Sequence, residues 1–133
     1  MSAYNQYKTD PKLEQEGVLV EYGDFSFTLA RAGGSNKRFL KCVEKLSRPY
    51  RKMIQQDKMD REVMNKLMIK AYAETIFLGW DNMKDQDGEE LPFTKENIIK
   101  VMTDLPDLWE DVLQVTSSLE VYRLEVREDE AKN

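Results

Sequence analysis

The stretch from Asp60 to Trp80, DREVMNKLMIKAYAETIFLGW, constrains the fold more than any other part of the chain. Met64, Met68, Ala71, Tyr72, Thr75, Ile76, Gly79 and Trp80 recur at helical spacing and make one broad apolar face. Ile69, Ala73 and Phe77 make a second line on the other side, and between Leu67 and Trp80 only Lys70 and Glu74 are charged. A helix that is apolar nearly all round is buried, or bound on two sides. This one is too short, and too polar at its start, to span a bilayer. The pattern predicts a central helix over residues 60–80 in a small, mainly α bundle.

The rest of the chain supplies elements to surround it. Residues 1–16 are polar and without a period, which reads as a flexible N-terminal arm. Residues 17–32 read as a two-stranded β-hairpin: Val18, Val20 and Tyr22 alternate on one strand, Phe25, Phe27 and Leu29 on the other, around Gly23-Asp24. That register pairs Tyr22 with Phe25, Val20 with Phe27 and Val18 with Leu29, so one face must lie on the helices. The other reading of the hairpin is an edge open to strand addition by a partner. Gly33-Gly34-Ser35 is a turn and lacks the spacing of a phosphate loop.

Asn36 is placed to cap a helix reaching to about residue 56, with Pro49 forcing a break near Ser47. This segment is basic through Lys37, Arg38, Lys41, Lys45, Arg48, Arg51 and Lys52. It reads either as a solvated face or as a surface for an acidic partner. The acidic connection from Asp81 to Phe93 fits a calcium loop poorly. With Gly88 as the loop glycine, Met83 and Thr94 fall where ligands are required. A D-G turn, with Leu91 and Phe93 folding back on Trp80, is the better reading.

A helix over 94–103 begins at Thr94, and a last helix over 106–127 begins at Pro106. On the last helix Leu105, Leu108, Val112, Val115, Leu119, Tyr122 and Val126 form a heptad-type seam, widened by Trp109 and Leu113. The seam packs on the central helix, or its end meets a second copy or a helical client. Residues 128–133 read as a mobile charged tail.

Function is bounded by what the composition lacks. The 133 residues include no histidine and a single cysteine, Cys42. Serine–histidine and cysteine–histidine nucleophiles are therefore excluded, and a zinc site would have to be built from carboxylates. No carboxylates converge as a general acid and base, so no enzyme activity, metal or cofactor is expected. The start, MSAYNQYK, lacks the build of a signal peptide and no transmembrane run is present, which places the expected site of action in the cytoplasm. Against nucleic acid stand the net charge of −5 and the lack of a base-stacking aromatic platform among the basic residues, where Phe39 and Tyr50 belong to the apolar repeat of the helix.

Ala73-Glu74, Gly79-Trp80, Asp87-Gly88, Pro92-Phe93-Thr94 and Glu96-Asn97 follow in an order that resembles the tail assembly chaperones of long-tailed bacteriophages. Tyr22-Gly23, the segment 25–31 and the helix from Leu105 to Tyr122 also fit, so the resemblance runs from Gly17 to Asn133. It implies a non-catalytic chaperone that keeps the tape measure protein soluble in the host cytoplasm and is absent from the mature virion. Many copies would coat one long apolar helix, each in a groove, through avidity rather than individual affinity. The seam and the methionine placement, not the resemblance, nominate Leu108, Trp109, Val112, Leu119, Tyr122, Met59 and Met64 as contact residues.

The family often makes a longer second product by ribosomal frameshifting. Ala131-Lys132-Asn133 can be encoded GCA AAA AAC, which contains a slippery A AAA AAC. An extended form binding the tail tube protein is therefore expected, and the nucleotide sequence tests it. Two rivals remain. One is a helical regulator or adaptor that uses residues 37–52 to bind nucleic acid or an acidic partner. The other is a self-associating structural subunit.

Overall fold

A computed structural model describes residues 2–124. The chain is mainly α, with a small antiparallel sheet on one side. Strands β1 (Val18–Glu21) and β2 (Ser26–Leu29) form the expected hairpin, with Val18 opposite Leu29 and Val20 opposite Phe27. The Tyr22 N–H donates to the Phe25 carbonyl at 2.8 Å, and Gly23 takes a positive φ of 86° in the turn.

Helices α1 (Ala3–Tyr7) and α2 (Pro11–Glu16) precede this hairpin. After it come α3 (Lys37–Ser47), a 3-10 turn over Arg48–Tyr50, and α4 (Arg51–Gln55). Pro49 thus breaks the basic helix where its missing N–H predicts. Asn36 stands at the cap position of α3, but its side chain is spent elsewhere. It is buried and donates through Nδ2 to the Arg31 carbonyl at 2.9 Å.

The central helix α5 runs Arg61–Thr75, capped by the Asp60 carboxylate accepting from the Glu62 N–H at 2.8 Å. Leu67, Ile69, Ala71, Tyr72, Ala73 and Thr75 are buried around its circumference. It packs against α3 on one side and, on another, α6 (Lys95–Asp104), whose Thr94 cap accepts from the Asn97 N–H.

The expected helix to Trp80 stops at Thr75, and Phe77–Asp81 is instead strand β3. β3 pairs with β2, so the two-stranded hairpin becomes a three-stranded sheet in the order β1-β2-β3, and the second edge of β2 is filled by the chain itself. Thr75, Ile76, Phe77 and Trp80 are β-branched or aromatic, and Gly79 is a poor helix former. Once the hairpin edge is present, pairing outweighs helical spacing. Leu78 is the extra residue where the register shifts between Thr28 and Leu29.

The connection after β3 folds as the D-G reading predicts. The Asp85 carboxylate accepts from the Asp87 and Glu89 N–H groups, both at 2.9 Å. Trp80 Nε1 donates to the Leu91 carbonyl at 3.0 Å, and Phe93 meets the Trp80 ring edge-on.

The last helix, α7, covers Pro106–Ser117 rather than reaching residue 127, and the part of the expected span from residue 125 onward lies outside the described residues. Thr116 and Ser117 turn their hydroxyls onto the Val112 and Leu113 carbonyls, and Ser118 is extended. A 3-10 turn over Glu120–Tyr122 then folds back into the protein. The Tyr122 hydroxyl donates toward the Leu29 and Ala30 carbonyls, each at 3.0 Å, and burial pushes its pKa well up.

Nor is the arm unstructured. Asp10 caps α2, with Pro11 in its first turn, and Asp10 N–H donates to the Tyr122 carbonyl while Leu124 N–H donates to Lys8. Glu14 is only 1% exposed. Its carboxylate accepts from Arg31 Nη1 at 2.5 Å and from the Ser35 hydroxyl and N–H at 2.8 and 3.2 Å. Burial works to raise its pKa, but these donors outweigh it and hold the carboxyl below its ordinary value. Gly34, at φ 56°, gives this carboxylate room, since a Cβ there would lie 2.0 Å from Glu14 Oε2.

A candidate binding groove

Along one flank of the bundle the end of α4, the start of α5 and the middle of α7 enclose an open groove of about 1160 Å³. Its position follows from one turn. Asp57 takes a left-handed conformation, φ 55°, and Lys58 N–H donates back to the Met53 carbonyl at 2.8 Å, which ends α4. Met59 follows, and Asp60 at once starts α5. Helical spacing then brings Met64 and Met68 onto the same wall, one turn apart. Leu113 and Ile54 complete the apolar lining.

Trp109 closes the floor but belongs to the core. It is 3% exposed, its ring meets Tyr72 edge-on at 4.8 Å, and its Nε1 donates to Asn65 Oδ1 at 2.8 Å. The Tyr72 hydroxyl in turn shares a hydrogen bond of 2.7 Å with Thr116. Asn65, a groove residue with no apolar character, thus fixes the indole by satisfying its one donor.

Of the seven nominated contact residues, the groove gathers Met59, Met64 and the edge of Trp109. Val112 and Tyr122 are fully buried and so cannot reach a partner. Leu108 is half-buried against the core, and Leu119, also half-buried, lies beyond the end of α7. Met68, Leu113, Ile54 and Asn65 were not nominated. Met68 stands four residues after Met64, and Leu113 four after Trp109, so helical spacing marks both.

The rim is charged. Asp57, Asp60, Glu62 and Glu110 face one guanidinium, Arg61, and among the described residues none of the five forms an ion pair. Elsewhere, Lys37, Arg38, Lys41, Lys45, Arg48, Arg51 and Lys52 are all exposed along α3 and α4, with Leu40 exposed among them. The Cys42 thiol donates to a Glu74 carboxylate oxygen at 3.1 Å, and burial together with this carboxylate pushes its pKa up to about 11. It therefore stays protonated at neutral pH and is a poor nucleophile.

Among the described residues no cluster of potential ligands could hold a metal ion, and no helix is long and apolar enough to cross a membrane. Residues 34–133 match the family model described as YdaY prophage protein. No curated protein and no solved structure matches the chain.

Proposed function

The chain belongs to the YdaY prophage protein family, and from that premise we propose that it is a phage tail assembly chaperone. Its client is the tape measure protein, held soluble in the host cytoplasm during tail morphogenesis, without catalysis. The observation that carries the reading is the open groove walled by Met59, Met64 and Met68. Methionine side chains are unbranched and polarizable, so one such wall accepts many apolar side chains in different packings. That tolerance suits a client that is a long helix of varied sequence, coated by many copies, each with modest affinity. The resemblance through Gly79-Trp80, Asp87-Gly88 and Pro92-Phe93-Thr94 supports the same assignment. In this reading a frameshifted longer form links the client to the tail tube protein, and neither product remains in the virion.

Co-expression with the tape measure protein of the same prophage tests it. The client should become soluble and co-purify with several copies of this chain. A client that stays insoluble both with this chain and with its extended form would sink the proposal. A second reading rests on the exposed basic surface of α3 and α4. An adaptor for nucleic acid would bind heparin through it and lose affinity steeply with salt.

A further inference from the structure

The groove has a polarity that its methionines do not explain. The most basic stretch of the chain leads directly into it, yet none of the basic side chains between Lys37 and Lys58 lines it. Asp57, Asp60 and Glu62 stand on one lip and Glu110 on the other, with Arg61 the single opposing charge. Asp60 is occupied as the α5 cap, but its charge remains. The arrangement is an apolar trough between two carboxylate edges.

We propose that this rim selects the helix the groove accepts: a basic amphipathic helix, with an apolar stripe flanked on both sides by lysine or arginine. The inference rests on the client-binding reading and adds the chemistry of the client segment. Long basic side chains lay their methylene stems along apolar walls while their charged ends reach the rim. With the stripe against Met64, Met68 and Leu113, flanking ammonium or guanidinium groups meet carboxylates on either side. An acidic helix of equal hydrophobicity would bring like charges together as water is displaced, and be rejected. Because the rim is exposed, it acts mainly on encounter rate and selection, and salt weakens it.

Two labelled synthetic helical peptides with the same leucine stripe, one flanked by lysines and one by glutamates, test this by fluorescence anisotropy with the full chain. The lysine peptide should bind about tenfold tighter, and added salt should narrow the gap. The variant D57N/E62Q/E110Q removes three rim charges, keeps the Asp60 cap, and puts at residue 57 an asparagine, which tolerates φ > 0. It should lose most of the preference with an unchanged melting temperature. E110K alone should weaken the lysine peptide and strengthen the other.

Equal affinities, or a preference that survives all three neutralisations, would overturn the rim's role and leave the chaperone reading standing. If neither peptide binds while the tape measure protein still co-purifies, the client lies elsewhere and the inference falls alone. If the client is lost as well, both fall. If sedimentation shows a self-associated chain that the lysine peptide dissociates, the occupant is a second copy and the client assignment is overturned.

Discussion

At the sheet side of the molecule, two buried polar groups, the Glu14 carboxylate and the Tyr122 hydroxyl, are each met by several partners. Glu14 is held by Arg31 and Ser35, and the Tyr122 hydroxyl by two carbonyls of the chain leaving β2. At the groove, apolar groups are half-exposed and the charges around them lack ion-pair partners among the described residues. The first arrangement has one satisfactory geometry, because any displacement leaves a buried polar atom without a partner. The second has many of similar energy, because methionines repack at little cost. One region fixes the chain's topology, and the other is left adaptable.

Trp109 stands on the border between the two, and its replacement should have the largest effect. Trp109→Ala removes a buried indole and strands Asn65, so the protein should lose about 3–5 kcal/mol of stability in a denaturant titration. Client capture would vanish with the fold, not through a lost contact. A loss below about 1 kcal/mol would move Trp109 to the adaptable side of the comparison.

Glu14→Gln probes the rigid side. The substitution keeps the shape, removes the charge and turns an amide toward the Arg31 guanidinium. It should cost about 2–3 kcal/mol at neutral pH. The folded-state pKa of Glu14 lies below its ordinary value of 4.5. Its contribution is therefore complete above that value and is lost as pH falls through the lowered folded value. The stability gap between wild type and variant should close over that acid range, as followed by unfolding at a series of pH values. A gap constant with pH would mean that shape, not charge, holds the arm.

The same contrast explains what the sequence discloses. The hairpin register was readable because alternation and a two-residue turn permit one pairing. The break at Pro49 was readable because a missing N–H acts locally. The switch from α5 to β3 was not, since Ile76, Gly79 and Trp80 satisfy helical spacing until a strand edge is available beside them. The heptad seam misled for a related reason. Tyr122 continues the spacing, and only the hydroxyl run Thr116-Ser117-Ser118 signals that the helix ends first. Glu14 was invisible, because nothing near it in the chain marks the arginine seventeen residues on that will bury it. In the groove, Met59 and Met64 were legible from the placement of methionines along the chain. Trp109 and Val112 were not separable from them, since a seam residue has the same spacing whether its neighbour is its own core or a client.

The smallest effect on stability belongs to the groove wall, and it gives the sharpest contrast. Met64→Ala removes a half-buried side chain from a wall already open to water. Stability should fall by about 1 kcal/mol or less. If the wall is where the tape measure helix lies, its capture by the purified chain should weaken about tenfold, because the truncated side chain leaves a gap that the client must span. Met59→Ala, on the turn before α5, should behave alike, and the pair should be more than additive if one client side chain rests between them. Stability and capture falling in proportion would show instead that Met64 acts through the fold, and would erase the distinction between a rigid side and an adaptable one. Capture lost from a protein that melts normally would place the function on the methionine wall.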